Sequence, residues 1–513
     1  MKSYFATILA LCLGWACTAS ENETNANRIC EPQETRACNC DDTEQGTQVC
    51  RDDDQSWSSC RCTIDAGQAV ADAGETGAIA DAGSQTSTIA ARPRNILLII
   101  SDDLGVDASM CYGKDNEVAN TPNLKALCDR GVVFNNAWSN PICSPTRATM
   151  LTGRYSFRTG VGAQVVDTQP GIQLTEMTIP KILKQAGTSY RSANIGKWHL
   201  SDRNNGNQDN PQMMGYDHFS GLIIGAVQDY NRWDKTINGV TSISENYITS
   251  ENIDDAIAWA NQGDSPWFMW LAFVAPHTPF HLPPANLHSQ TGLSGDQNDI
   301  DANPLPYFHA MIQSMDTELG RLFSELGAET LANTEIIYIG DNGTPSIINQ
   351  TSNRPRRGKG SLYQGGIHVP LIIAGPSVVD GGRTVDALVN GVDIFNTILE
   401  FAGVDLEKEL PSDREIDSKS LLPYLQDAQA TPLREWIYSD FFGPPVPASQ
   451  AGYTIRNDKY KFIHLDQNGE RLYRIDTDPS ESTNLLNRTL STEDQENLNQ
   501  LRATAEALRA SEP

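Results

Sequence analysis

The strongest pattern in the chain is a continuous apolar run, Asn95-Ile96-Leu97-Leu98-Ile99-Ile100, ending in Ser101-Asp102-Asp103. A strand buried on both faces reads this way, and in α/β sheets the functional site lies beyond the carboxyl ends of the strands. The same grammar recurs at residues 334–339, which run into Gly340-Asp341-Asn342-Gly343. Residues 267–275, followed by Pro276-His277-Thr278-Pro279, and residues 370–374 are further buried-strand candidates. Residues 124–130, 179–185, 251–260 and 307–326 carry apolar positions at helical spacing. This alternation predicts a layered α/β domain from about Arg94 to Gly403. Beyond it the runs shorten, at 436–441, 453–456, 460–464 and 471–475, with Asn457-Asp458 and Asn468-Gly469 as turn chemistry. A small antiparallel sheet closed by a polar-faced helix at 491–510 is expected, together an α+β subdomain.

Upstream of Arg94 no such periodicity exists. Met1-Lys2 precedes an apolar run at residues 5–16, then Cys17 and the polar Ser20-Glu21-Asn22. One positive charge, a short greasy segment and small residues are the pattern of an export signal. The run falls short of the roughly 20 apolar residues that a spanning helix needs. Cys17 after Gly14-Trp15-Ala16 is a candidate lipid-attachment site, although Trp15 fits poorly, and plain secretion or periplasmic release is the competing reading. Cys30, Cys38, Cys40, Cys50, Cys60 and Cys62 follow with Asp, Gln and Ser between them and a single Trp57, too little apolar surface to order so short a segment, which in an exported chain reads as a disulfide framework. A zinc module fits less well, because the stretch has no His and spaces its cysteines as Cys-x-Cys. Residues 65–91 repeat Asp-Ala-Gly amid Ala, Gly, Ser and Thr and read as a flexible tether.

Composition narrows the picture. With 513 residues, 39 % of them hydrophobic, the chain can bury a sizeable core. The net charge is −27, which disfavours nucleic-acid partners. The acidity is not confined to the N-terminal segment, since residues 1–93 hold −8 of it and the remainder −19. An odd total of 11 cysteines leaves one thiol to be explained.

That thiol sits in Cys143-Ser144-Pro145-Thr146-Arg147-Ala148-Thr149-Met150-Leu151-Thr152-Gly153-Arg154. Pro two residues after the cysteine and Arg four after it place the thiol at a helix start, with the guanidinium one turn on along the same side. Helix N-termini attract anions. The stretch resembles the signature of the type I sulfatases, in which this cysteine is oxidised to formylglycine and the hydrated aldehyde is the nucleophile. The resemblance extends over about Arg94 to Leu486. Asp102-Asp103 and Asp341-Asn342-Gly343 look like the family's divalent-metal ligands, hard oxygens suited to calcium first and magnesium second. Gly196-Lys197-Trp198-His199-Leu200, Pro276-His277-Thr278-Pro279-Phe280 and Gly358-Lys359-Gly360-Ser361 match further active-site blocks in the family's order, and Leu472-Tyr473 with Asp478-Pro479-Ser480-Glu481 resembles its closing strand and turn.

The resemblance implies an alkaline-phosphatase-like mixed sheet flanked by helices, with the smaller α+β subdomain behind it. With the readings above, the chain divides into an export signal (1–20), a Cys-rich head (21–64), a linker (65–93), a catalytic domain (94–403) and a C-terminal subdomain (404–513). The resemblance implies a cation held by Asp102, Asp103, residue 143, Asp341 and Asn342, and a sulfate held by that cation with Lys197 and Lys359. Arg147 would orient the aldehyde hydrate, Asp341 would help deprotonate it, His277 with Lys359 would protonate the leaving oxygen, and His199 would take the second hydroxyl's proton. It also implies a maturation partner, the formylglycine-generating enzyme, and an aryl or carbohydrate sulfate ester as substrate. Cys111 and Cys128 can pair with each other, leaving Cys143 free as that chemistry requires.

Each block also has a plainer reading. An Asp-Asp pair ending a strand is often a solvated turn, but a second strand ending in Asp-Asn-Gly tips the balance toward a metal. The basic run Arg354, Arg356, Arg357, Lys359 could be a solvated loop, yet in so acidic a chain it points to an anion site. His281 and His288 read as loop residues. Gln364 and His368 stand where family members commonly carry Glu and Arg, and residues 204–235 offer no substrate signature. The rival readings are a phosphonate or phosphate ester hydrolase on the same scaffold and a non-catalytic surface-binding protein.

Overall fold

The computed structural model describes residues 35–40, 44–49 and 94–511, apart from 113–116, 167–168, 351–356 and 412–413. The chain divides into two units, residues 1–88 and 89–513. In the first, β1 (Thr35–Cys40) and β2 (Glu44–Val49) form an antiparallel pair. The export signal, most of the cysteine cluster's span and the tether lie outside the described residues.

The second unit is built on a mixed sheet. Its strands are β3 (Asn95–Ser101), β4 (Val132–Trp138), β5 (Arg191–Lys197), β6 (His218–Leu222), β7 (Trp233–Ile237), β8 (Val240–Ser244), β9 (Trp267–Ala272), β10 (Thr334–Gly340), β11 (Leu371–Ala374) and β12 (Arg383–Asn390), in the order β12-β4-β11-β10-β3-β9-β5-β6-β7-β8. The central strands β10, β3, β9, β5 and β6 run parallel. β11 is antiparallel to both β10 and β4, and β6, β7 and β8 close one edge as an antiparallel meander. The side chains of β3, β9 and β10 are buried almost throughout, as their unbroken apolar runs require. Two core clusters form from alternate residues of the central strands, for example Leu97 and Ile99 on one side and Ile96, Leu98 and Ile100 on the other.

The long helix Pro304–Ala332 opens with Pro at its first position, where the missing N–H costs nothing, and is interrupted at Gly327 (φ 73°). It outruns the expected 307–326 at both ends. β9 is shorter than its apolar run, because Phe273, Val274 and Ala275 stay buried but leave the ladder for the turn that carries His277. A second, antiparallel sheet follows, β13 (Ile437–Phe441), β14 (Gly452–Arg456), β15 (Tyr460–Leu465) and β16 (Gly469–Arg474). The helix Thr492–Ala510, opened by a capping box between Ser491 and Asp494, packs on it through Leu498, Leu501 and Ala505. Both the mixed sheet with its helices and the α+β C-terminal part agree with the expected fold.

Candidate active site

The site follows from strand register. Gly340 pairs with Ser101, Ile100 with Ala272 and Ala272 with Gly196, so four parallel strands end at one level. The residues just past those ends therefore converge: Asp102-Asp103 from β3, Asp341-Asn342 from β10, Lys197 and His199 from β5, and His277 from the turn after β9. Gly196 (φ +95°) is needed for that approach, since a Cβ there would lie 1.9 Å from the Ala272 carbonyl oxygen. Cys143 enters from the side as the first residue of the helix Cys143–Thr152, whose ten residues are all buried and which ends on Gly153 in the left-handed region.

The thiol lies 3.4 Å from Asp102 Oδ1 and 3.3 Å from Lys197 Nζ. Lys197 is also ion-paired with Asp102 Oδ2. Arg147, fully buried, donates from Nε and Nη2 to Asp341 Oδ2 at 3.2 and 2.9 Å and from Nη1 to the Lys197 carbonyl at 2.7 Å. Asp341 Oδ1 accepts from the Asp103 amide at 3.2 Å. Asp103 in turn takes Lys359 Nζ at 2.5 Å and Asn342 Nδ2 at 2.8 Å, with His277 Nε2 at 3.8 Å. Asp102, Asp103, Cys143, Arg147, Lys197, His277, Asp341, Asn342 and Lys359 are thus linked in one network, whereas the His199 ring meets the Val165 carbonyl; Arg354 and Arg356 lie outside the described residues.

The electrostatics follow from burial and sign. Burial raises the Cys143 thiol to about 12, with Asp102 adding to it against Lys197 and Lys359, so the thiol is neutral at physiological pH. Burial and the neighbouring Asp102 also push Asp341 up, against Arg147. Asp103 goes the other way: burial would raise it, but Lys359 and His277 together hold it below the usual carboxylate range. Burial, then Lys197 and Arg147, drive His199 well below the ordinary imidazole value, so its ring is neutral and available as a base.

Oxygen and sulfur atoms of Asp102, Asp103 and Cys143 and a ring nitrogen of His277 lie within 4.8 Å of one another. Sequence did not place His277 in this group. Asn342 Oδ1 is buried beside it without a hydrogen-bond partner. An orphaned amide oxygen among converging carboxylates is a donor set for a hard divalent cation, so the residues present fit the metal that was expected.

Several supporting residues carried no sequence signal. Ser144 Oγ donates to the His199 carbonyl at 2.9 Å and accepts from the Val165 amide at 3.0 Å, while His199 Nε2 meets the Val165 carbonyl at 3.0 Å. This clamp holds His199 at φ 62°. Tyr230 OH donates to the His277 carbonyl at 2.5 Å and stacks on His281 with ring centroids 4.0 Å apart, so His281 is packed rather than a free loop residue. At the two unusual positions, Gln364 Oε1 accepts from Trp138 Nε1 at 2.9 Å and His368 Nε2 pairs with the Asn135 carbonyl at 2.8 Å. The charges sit elsewhere: Glu481 Oε2 accepts from the Gln364 amide at 2.7 Å and pairs with buried Lys461 at 2.6 Å. Cys111 and Cys128 form a disulfide, which leaves Cys143 as the free cysteine among the described residues.

Residues 94–404 match the Sulfatase family model, and residues 358–509 match the model described as N-sulphoglucosamine sulphohydrolase, C-terminal. The chain belongs to the sulfatase family. It is a sulfuric ester hydrolase, on the alkaline-phosphatase-like scaffold that the register above positions. Among similar sulfatases, the uncharacterized sulfatase YdeN of Escherichia coli is 29 % identical over 71 % of this chain and 73 % of its own. The N-acetylgalactosamine-6-sulfatase of Sus scrofa is 30 % identical over 67 % of this chain and 68 % of its own. The solved structure of BT4656 in complex with its substrate D-glucosamine-2-N,6-O-disulfate superimposes with a TM-score of 0.65 at 24 % identity, covering 82 % of this chain and 99 % of that one, a likeness of fold.

Proposed function

We propose that this sulfatase cleaves its ester through the aldehyde hydrate of a formylglycine formed from Cys143, beside one divalent cation, calcium or magnesium, held by Asp102, Asp103, Asp341 and Asn342. The Cys143 Sγ position then stands for the hydrate oxygens. Bound there, the cation would supply Lewis-acid charge neutralisation for the sulfate oxygens. The chain's own residues do the rest. Lys197 and Lys359 neutralise the sulfate, and Arg147 fixes both Asp341 and the backbone carrying Lys197. Asp341, fixed by Arg147 beside the 143 position, takes the proton from the attacking hydroxyl. His277, with Lys359, protonates the departing oxygen. Neutral His199 accepts the second hydroxyl's proton, so that sulfate leaves and the aldehyde re-forms. A serine in place of residue 143 would stop at the sulfated stage, having no geminal hydroxyl to collapse.

The observation that carries this reading is the thiol at a buried helix start, 3.3 Å from Lys197 and 3.4 Å from Asp102, where an anion would be held and a free disulfide partner is absent among the described residues. The relatives named for N-acetylgalactosamine-6-sulfate support a carbohydrate sulfate as one substrate class, with aryl sulfates as the second. Export through residues 1–20, to secretion or periplasmic release ahead of lipidation at Cys17, and processing by a formylglycine-generating enzyme complete the proposal, with residues 21–64 as a disulfide head, 65–93 as a tether, and 94–403 and 404–513 as the two parts of the enzyme. The test is sulfate release from a small aryl sulfate by protein made in its native host. Cys143→Ala and His277→Ala should abolish it while the fold is retained, and undiminished release by either variant would overturn the assigned roles.

A further inference from the structure

The segment that carried no substrate signature runs between the two site histidines. The His199 amide donates to the Ile223 carbonyl at 3.0 Å and the Trp198 amide to that of Leu222 at 2.8 Å, while at the other end Tyr230 reaches the His277 carbonyl. Residues 222–230 therefore border the reacting centre along its length. Their outer side lines two cavities that share Ile224 and Ala226 as a wall. One, of about 420 Å³, has His199, Val165 and Val166 in its lining. The other, of about 350 Å³, continues past Asp229 and Arg232 to Ile243. Both fall in the size range of small-molecule sites, about 300–1,000 Å³.

Two features define what fits. Val166, Ile224 and Ile243, 40, 59 and 57 % exposed, are among the few large apolar side chains that the second unit leaves in solvent, and all three line these cavities. Leaving such surface wet is unfavourable unless a ligand covers it. The ionisable lining is acidic on balance: Asp202, Asp229 and Asp234 against Arg232. A second sulfate or a carboxylate would meet repulsion there, in contrast to the lysine-rich reacting centre next door.

Building on the sulfatase reading, we infer that residues 222–232 form an extended binding trough for an uncharged, apolar portion of the substrate attached to the sulfated unit, and that an anionic extension is rejected. The enzyme would then act on singly sulfated amphiphilic esters in preference to polysulfated ones.

The test uses the full-length mature enzyme and umbelliferyl sulfates that share one aryl leaving group but carry a methyl, a hexyl or a carboxymethyl substituent. The expected order of kcat/KM is hexyl above methyl by at least about tenfold, the gain typical of filling an apolar pocket, with carboxymethyl lowest. Ile224→Asp, on an exposed side chain, should erase the hexyl advantage, read as the hexyl-to-methyl ratio of kcat/KM, and Asp229→Asn should raise the carboxymethyl rate. Equal rates across the three esters, or an unchanged hexyl-to-methyl ratio in Ile224→Asp, would overturn the trough. Binding of the hexyl ester to the Cys143→Ala protein, followed by fluorescence, separates the two readings. Ile224-dependent binding without any turnover by the unmutated enzyme would sink the proposed chemistry and keep the trough. Turnover with binding indifferent to Ile224 would do the reverse.

Discussion

Lys461→Met removes half of a buried ion pair inside the C-terminal subdomain, whose other half, Glu481, also meets the segment carrying Lys359. Lys461 and Glu481 side chains are 0 and 2 % exposed and meet at 2.6 Å, with no further hydrogen-bond partner for either atom. Arg357, two residues before Lys359, donates to the Glu481 carbonyl at 2.5 Å, and Gln364 N–H to its carboxylate. The pair also has a pH signature. Burial depresses the Lys461 ammonium to about 8, against the pull of Glu481, whereas the ordinary lysine value is 10.5. Between those values the unfolded chain binds more protons than the folded one, so this lysine makes stability rise with pH, by about 3 kcal/mol across the window. Below it both states are protonated and the contribution is flat. Urea unfolding of parent and variant, from about pH 7 to about pH 10.5, reads this directly: the parent's stability should rise by about 3 kcal/mol across the window, and Lys461→Met should lack that rise. A rise under about 1 kcal/mol in the parent, or an equal rise in the variant, would refute the reasoning.

Three further outcomes follow from the same structure. A Cβ at Gly225 would lie 2.3 Å from His199 Cε1 and 2.4 Å from Nε2, so Gly225→Ala should displace the ring and lower kcat by about a hundredfold, with an unchanged unfolding midpoint as the control. Chelation should abolish turnover and lower the melting temperature, with calcium or magnesium at a hundredfold excess over Kd restoring about 2.7 kcal/mol of stability; a melting curve indifferent to chelator would contradict the cation site. Deleting residues 21–91, which leaves the 89–513 unit almost whole, should leave aryl sulfate turnover intact, and loss of activity in a folded deletion would assign the head a catalytic part.

The elements that could be read from sequence are those whose burial is uniform. β3 and β10 show unbroken apolar runs because both faces are covered, and the C-terminal helix was legible by its polar face, since only one side, with Leu498, Leu501 and Ala505, is buried. The missed strands are those with mixed surroundings: Arg191–Lys197 carries Arg, Ser and Asn, and Val240–Ser244 is an edge strand left largely exposed. The helix Cys143–Thr152 has no amphipathic signature, since it is buried all round; its motif, and not its periodicity, gave it away. The reacting cluster was legible through ordered blocks at strand ends. What was not legible acts through backbone atoms or tertiary placement: the Ser144 clamp on the His199 carbonyl, Tyr230 beneath His277, and the buried Lys461–Glu481 pair beside the Gln364 amide. Serine, tyrosine and a buried lysine have no spacing rule that marks such roles.

The central claim is that residue 143 works as an aldehyde. The mass of the proteolytic peptide containing it, from protein made in the native host, tests this most directly. The account predicts formylglycine at that position, a peptide in which the CH2–SH group has become CHO. An active enzyme whose peptide carries an unmodified thiol at 143 would contradict it.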